Sequence, residues 1–351
     1  MKTRFGICLV VAILTVWQLA QAAQVEDPLK AALDLHDAGM FKEAIAAYDK
    51  VIKAHPKLAA AYFNRGNAYY DLGQNQQALR DYSEAIRLNP KDSEAYYNRA
   101  NVQRRLNRDA RAIDDYSAAI KLNPNDARSY VNRGALHFDA KRYENAVKDF
   151  SAAIRIEPKE AQHHYNRANS YLASDRKDDA IKDYEAALGL DPKLADAYYN
   201  RGVAQAASGR HEDAIRDFDE TLKLTPRSAE AHYNRGLAKM RLGRFDAAID
   251  DFSEATRINP DDPETPFNRG LAYLKVDKYG YAARDFSEVI RLQPTNADAY
   301  VYRGIIRIYQ NDEKAADVDF QKAFQLKPAL RKTIQPVIDE AKAKAKAAAK
   351  P

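Results

Sequence analysis

Cysteine is almost missing from this chain. The single one among 351 residues is Cys8, so everything after it lacks disulfides and lacks the thiolates of a closed zinc site. Tryptophan is as scarce, with only Trp17. No stretch alternates apolar and polar residues as a half-buried strand would. No P-loop and no dinucleotide-binding glycine fingerprint occurs. The seven histidines (His36, His55, His137, His163, His164, His211 and His232) are scattered, and adjacent His163 and His164 point in different directions on a helix. The expectation is therefore no catalytic residues, no metal and no cofactor: the chain is read as a non-enzyme.

Long apolar runs are also rare. The one candidate is Ile7 to Trp17, preceded by Lys2 and Arg4 and followed by Leu-Ala-Gln-Ala-Ala, with Ala20 and Ala22 at the −3 and −1 positions of a cut before Ala23. That is the pattern of a secretory signal peptide over residues 1–22. The run is short for a transmembrane helix, so no stable membrane insertion is expected once the signal is cleaved; an uncleaved anchor is the alternative. Cys8 precedes the apolar core, where a lipoprotein would carry its cysteine after it. The expectation is an exported protein, periplasmic if the source is a diderm bacterium and secreted otherwise.

Charge of one sign is missing as well. The formal net charge is +5, of which Lys2 and Arg4 belong to the leader and a net +4 to the segment after Leu330, leaving −1 for everything between. A near-neutral body lacks the basic footprint of a nucleic-acid or membrane binder, and no nucleic-acid partner is expected.

What the chain has instead is a period. From Val25 to Leu330 it repeats every 34 residues, nine times, without insertion or deletion. The repeats span 25–58, 59–92, 93–126, 127–160, 161–194, 195–228, 229–262, 263–296 and 297–330. Pro56, Pro90, Pro124, Pro158, Pro192, Pro226, Pro260, Pro294 and Pro328 close them, and an alanine stands twelve residues before each. In repeat 59–92, Tyr62, Arg65, Gly66, Tyr69 and Tyr70 recur at three- and four-residue steps, which predicts a helix. Gly73 stops it. A second helix follows through Ala78, Tyr82, Ala85 and Ile86, and Pro90 ends that one. At the turn, position 15, eight of nine repeats carry Gly, Asn or Asp and one carries Lys141. Repeats of this kind bury their apolar backs only against neighbours.

The residues carry a family resemblance. Tyr62, Gly66, Tyr69, Ala78, Tyr82, Ala85 and Pro90 stand at positions 4, 8, 11, 20, 24, 27 and 32, and every repeat has the Ala at 20, Tyr or Phe at 24 and the Pro at 32. The chain resembles tetratricopeptide repeats. The resemblance implies an all-α, right-handed α-α superhelix of nine helix-turn-helix repeats. Residues 331–351 read as a capping helix, with Ile334, Val337 and Ile338 covering the last repeat, followed by a solvated basic Ala/Lys tail. Pro266 stands where the family wants an aromatic, which predicts a late helix start or loose packing near Pro263–Pro266.

Two ladders run through the repeats. Arg65, Arg99, Arg133, Arg167, Arg201, Arg235, Arg269 and Arg303 hold position 7; Asp81, Asp115, Asp149, Asp183, Asp217, Asp251, Asp285 and Asp319 hold position 23. The first repeat lacks both, with Ala31 and Ala47 instead. Joint presence and joint absence point to structural ion pairs. The second ladder is Asn64, Asn98, Asn132, Asn166, Asn200, Asn234 and Asn268 at position 6, beside Phe63, Tyr97, Tyr165, Tyr199, Tyr233 and Phe267 at position 5, with Asn67, Asn101 and Asn169 at position 9. The resemblance places position 6 on the concave surface. An asparagine offers an acceptor and two donors, matching a peptide group. Helices pack ~8–10 Å apart while an extended chain advances ~3.3 Å per residue, so one asparagine would serve about three peptide residues. The expected function is a scaffold that binds an extended peptide or protein partner in this groove; the alternative is a self-associating assembly module. A clamp for a C-terminal carboxylate is not expected, since position 5 carries rings or aliphatics rather than lysine. The cluster Arg104, Arg105, Arg108 and Arg111 is read as solvated charge near a turn.

Overall fold

A computed structural model describes the backbone of residues 27–348 and side chains through residue 345. The expected leader, residues 1–22, lies outside the described residues. Nineteen helices and no strand are found among them. Two compact units are present, one ending at Ser170 and one beginning at Tyr171.

In the first unit the helices pair as α1 (27–37) with α2 (Phe41–Ala54), α3 (Ala59–Asp71) with α4 (Asn75–Leu88), α5 (Ser93–Arg105) with α6 (Asp109–Leu122), and α7 (Ala127–Asp139) with α8 (Tyr143–Ile156). Each hairpin packs on the next, α2 on α3, α4 on α5 and α6 on α7. The unit boundary falls inside α9 (Ala161–Ala173). The second unit continues with α10 (Lys177–Leu190), α11 (Ala195–Ala207), α12 (His211–Leu224), α13 (Ala229–Arg241), α14 (Phe245–Ile258), α15 (Glu264–Lys275), α16 (Tyr279–Leu292), α17 (Ala297–Tyr309), α18 (Glu313–Leu326) and α19 (Leu330–Ala348). Its hairpins stack by the same pattern.

The turn between the helices of a hairpin is a left-handed stop. Gly73 has φ 73°. Its N–H reaches the Tyr70 carbonyl at 3.0 Å, and the next N–H reaches Tyr69 at 2.8 Å, satisfying two orphan carbonyls of α3. Lys141 is forced into the same geometry, φ 58°, by the hairpin around it. For an L-residue with a Cβ this conformation costs about 1–2 kcal/mol. Lys141→Gly is therefore expected to raise stability by about 1 kcal/mol, seen as a higher urea midpoint with an unchanged slope. The closing proline acts by restricting its predecessor: Asn89 is held out of the helical region at φ −132°, ψ 86°, just after α4 ends.

The core lies between paired helices and between hairpins. Each ring at position 24 is buried, as Tyr48, Tyr82, Tyr116, Phe218, Phe252 and Phe286 show. In six repeats that ring packs directly against a glycine at position 8; a Cβ on Gly236 would meet Phe252 at 2.8 Å. Pro266 behaves differently from the looser alternative expected above. The helix α15 does start one residue late, at Glu264, but Asp262 accepts from the N–H groups of Glu264 and Thr265, and both Thr265 and Pro266 are buried. The proline sits in the first turn, where its missing N–H has no helical partner to lose.

The C-terminal helix caps the last hairpin along a different stripe from the one expected. Ile338 and Ala341 are buried on Ile308, Phe320 and Phe324, with Ile334 and Ala345 beside them. Val337 is 43% exposed and so does not join Ile334 and Ile338 in the cover. Helical geometry explains the change: at about 100° per residue, 334, 338, 341 and 345 fall within an arc of about 60°, and 337 lies about 40° outside it. The Ala/Lys segment is thus partly packed rather than wholly solvated, and Lys342 pairs with Asp317 at 2.9 Å.

Candidate binding face

The position-7 arginine is the joint of each hairpin. Arg65 donates Nε–H and Nη2–H to the two oxygens of Asp81, both at 2.7 Å, across the hairpin. Arg99, Arg133, Arg201, Arg235, Arg269 and Arg303 grip Asp115, Asp149, Asp217, Asp251, Asp285 and Asp319 in the same fork. These aspartates are at most 6% exposed; Asp183 is buried likewise. The remaining nitrogen, Nη1, reaches back to position 25 of the preceding hairpin. It meets Asp49 from Arg65, Ser83 from Arg99, Ser117 from Arg133, Ser151 from Arg167, Asp219 from Arg235, Ser253 from Arg269 and Ser287 from Arg303. One guanidinium therefore closes its own hairpin and ties it to its neighbour. With their fork committed inward, these arginines are not a row offered to a ligand.

Position 11 adds a second partner for the buried carboxylate, which the sequence reading missed. Gln103 donates to Asp115 at 2.8 Å, Lys239 pairs with Asp251 at 2.8 Å, and Arg307 pairs with Asp319 at 2.8 Å. His137 lies 3.9 Å from Asp149. The available signal was a donor standing at a position usually given to aromatics. The electrostatic consequence is a contrast between repeats. Burial pushes the Asp251 carboxyl up, yet hydrogen bonds from Arg235 and Lys239 outweigh it and hold the group below its ordinary value. Asp285 has only Arg269 opposite it, and burial leaves its carboxyl above the ordinary value.

The asparagine ladder is half committed. Asn132 donates to the Tyr97 hydroxyl at 3.1 Å, Asn234 to Tyr199 at 2.9 Å, and Asn268 to Tyr233 at 3.0 Å. Each amide thus staples its hairpin to the position-5 ring of the hairpin before. Where position 5 is Phe63, Asn98 donates to Asn67 instead, at 3.0 Å; Asn166 accepts from Gln162. Asn64 and Asn200 are half-buried at the same position. The position-5 rings are not free platforms either. Phe63, Tyr97, Tyr199, Tyr233 and Phe267 each pack on the position-24 ring of their own hairpin, with centroids 5.6–5.9 Å apart; Tyr165 is half-buried.

Position 9 has an internal task as well. Tyr82 and Tyr116 donate their hydroxyls to Asn67 and Asn101, at 2.7 and 2.5 Å. Asn appears at position 9 only where position 24 is tyrosine (Asn67, Asn101 and, in the repeat of Tyr184, Asn169), and aliphatics or Ala stand there where it is phenylalanine. The first repeat breaks the rule. It pairs Tyr48 with Leu33, and the buried Tyr48 hydroxyl has no hydrogen-bond partner among the described residues. Burial, with Asp37 nearby, pushes that phenol up to about 12.

What remains open forms a recurring cleft. His36, Asn67, Tyr70, Asp71, Tyr82, Asn98 and Asn101 line one of about 250 Å3. Ala135, Phe138, Asp139, Phe150, Asn166 and Asn169 line another of about 190 Å3. Both use positions 9, 12, 13 and 24 of one hairpin and 6 and 9 of the next, so the cleft is a property of the repeat. A larger cleft of about 660 Å3 lies on the brace side, around Arg201, Arg216, Lys223 and Arg235. Its cations are already paired with Asp217, Asp213, Glu220 and Asp251, which leaves little charge for a ligand. Of the arginine cluster, Arg105 stacks on Tyr70, 3.6 Å from the ring centre, and donates to its carbonyl. Among the described residues no group of His, Cys, Asp and Glu is placed to hold a metal, and no helix is long and apolar enough to cross a membrane.

Comparison with known proteins follows the same lines. Family models described as tetratricopeptide repeat match residues 63–127, 165–223 and 204–263, residues 127–160, and, as TPR repeat, residues 32–73. No curated protein sequence matches. Among solved structures, a tetratricopeptide repeat protein from Parabacteroides merdae is 22% identical with a TM-score of 0.51, covering 72% of this chain and 98% of its own. The C-terminal part of a TPR repeat-containing protein from Cytophaga hutchinsonii is 17% identical with a TM-score of 0.54, covering 77% and 97%. YrrB, described as a TPR protein with an unusual peptide-binding site, is 22% identical with a TM-score of 0.50, covering 53% and 95%. At these identities the likeness is one of fold.

Proposed function

Because this chain belongs to the tetratricopeptide-repeat family, we propose that it is a non-enzymatic scaffold holding an extended segment of a protein partner along its asparagine face. The observation that carries this reading is the half-used amide. Asn132 and Asn234 each spend one N–H on a tyrosine hydroxyl. One N–H and the carbonyl oxygen are left, the complement of a peptide group. The staple fixes the amide's orientation, so little side-chain entropy is lost when a ligand binds. The clefts repeat with the hairpin, as a chain-binding surface requires. The leader pattern of residues 1–22 extends the proposal to an exported protein working in the cell envelope, in the periplasm where there are two membranes.

The test is capture of a partner from an envelope fraction by the wild type and by Asn132→Ala/Asn166→Ala/Asn200→Ala. Three lost amide–peptide contacts at ~1 kcal/mol each predict a drop of well over tenfold with unchanged circular dichroism. Equal capture by both proteins would sink the groove reading. The second reading, self-association, draws on Tyr281 and Val318, which are 55% and 64% exposed. Sedimentation over a range of concentrations separates the two.

A further inference from the structure

The first unit contains a cation bound on the asparagine face, and the cation is its own. The guanidinium of Arg128 lies 4.6 Å from the centre of the Tyr97 ring. It donates to Glu94 at 2.5 Å and to Asp126 at 2.8 Å. In repeat terms, the position-2 side chain of one hairpin lies over the position-5 tyrosine of the hairpin before, and the position-2 carboxylate of that earlier hairpin completes the seat.

The second unit repeats the seat without its occupant. Tyr199 and Tyr233 hold position 5, stapled by Asn234 and Asn268 as Tyr97 is by Asn132. At position 2, however, stand Asp196, Glu230, Glu264 and Asp298, all exposed. None of the four pairs with a cation among the described residues. Glu230 and Glu264 hold the repeat position from which Glu94 and Arg128 flank Tyr97, and the phenols agree: burial first, and then Glu230, raises Tyr199; burial, then Glu264 and Asp262, pushes Tyr233 up to about 12. One turn further along each helix, Val203, Leu237 and Leu271 occupy position 9, where the first unit has Asn67 and Asn101. The floor beside the rings is therefore aliphatic, suited to the stem of a long basic side chain, and a ring face flanked by carboxylates suits its charged head.

We propose that the second unit binds a basic partner peptide in extended form, seating one lysine or arginine per hairpin between a position-5 ring and the position-2 carboxylates. The proposal rests on the asparagine face being a chain-binding surface and adds the chemistry of the chain. The spacing follows from geometry: hairpins ~10 Å apart and ~3.3 Å per extended residue call for a cation at about every third residue. Acids in a helix first turn also complement the helix dipole, by about 0.3–1 kcal/mol, so the test must separate binding from stability.

The probe is a fluorescent peptide of four Lys-Ser-Ser units, titrated against the full chain, with a Glu-Ser-Ser peptide and a peptide of the same composition carrying its lysines together. The lysine-spaced peptide is expected to bind best and to weaken with added salt. Glu230→Gln/Glu264→Gln keeps both rings and removes an exposed ion pair from each seat, which predicts a loss of about tenfold. The charge-matched control Glu254→Gln/Glu288→Gln, on the second helices of its hairpins, should bind as wild type. Equal binding by the two variants, or equal binding of the acidic peptide, overturns the proposal. Asn234→Ala/Asn268→Ala distinguishes the failures. If those substitutions abolish capture of the acidic peptide, the groove stands and its basic preference falls; if they change no peptide, the groove reading falls with it.

Discussion

Asp251→Ala lowers the unfolding free energy by about 3–5 kcal/mol, the cost of leaving a buried charge without its partner. Asp251 is 3% exposed and accepts from both Arg235 and Lys239, with His232 Nδ1 3.6 Å away. Truncation leaves two cations facing each other over an empty space. Because stability in a stack of repeats is a sum of local terms, the loss should concentrate in α13 to α16, and amide exchange should locate it there. The same site gives a pH signature. The folded pKa of Asp251 lies below the unfolded one, so its stabilisation is complete above the ordinary carboxylate value of ~3.9 and disappears as pH falls through the folded value. Removing one donor in Lys239→Met raises the folded pKa, and acid unfolding should begin at a higher pH. Asp285, whose carboxyl is already raised above the ordinary value, has the opposite sign: its folded form is favoured by protonation, and that advantage is lost as pH rises. Asp251→Ala losing less than about 1 kcal/mol would place the pair among interactions that a stack can spare.

Phe252→Ala is the second large effect, about 3–5 kcal/mol. The ring is fully buried, packs on Tyr233 at 5.8 Å and lies against Gly236. It joins Ala248 and Ile249 of its own hairpin to Ala272 of the next. Its removal opens a cavity and loosens a seam together. The converse substitution, Gly236→Ala, forces a Cβ within 2.8 Å of the ring and is expected to cost about 1–3 kcal/mol by overpacking. Chemical denaturation of the two single variants and the double variant tests the pairing. Alanine should be better tolerated once the ring is gone, so the two losses should not add.

The all-α repeat fold was legible because every hairpin carries its own start, turn and stop. Tyr62, Gly66, Gly73, Ala78, Tyr82 and Pro90 are each a local instruction, and the period makes them redundant. The joint presence of Arg65 with Asp81, and the joint absence at Ala31 and Ala47, pointed to pairing, but not to the third arm onto Asp49. That arm joins residues of different repeats, and serine or aspartate at position 25 has no meaning until the hairpins are stacked. The asparagine face was read as a set of side chains open to solvent. Part of its hydrogen-bonding capacity turns inward, since Tyr97 and Asn132 meet only across a hairpin boundary. The link between Asn67 and Tyr82 was within reach, because asparagine and tyrosine come and go together at positions 9 and 24. Val337 stands three residues after Ile334 and four before Ala341, so step counting admits it to the capping stripe; only the angle, about 40° outside the arc of Ile334, Ile338, Ala341 and Ala345, places it off.

The back-reaching guanidinium gives each stack a direction. Arg99 carries its own clamp, Asp115, and borrows only Ser83 from the hairpin already behind it; Arg269 does the same with Asp285 and Ser253. A chain leaving the ribosome from its N-terminus thus never waits for a later hairpin to complete the brace of an earlier one. Each newly made hairpin arrives with the means both to close itself and to fasten onto what has already formed. Shortening a stack from its C-terminal end removes whole braces and leaves the others intact, whereas shortening it from the N-terminal end strips the first surviving arginine of its third contact.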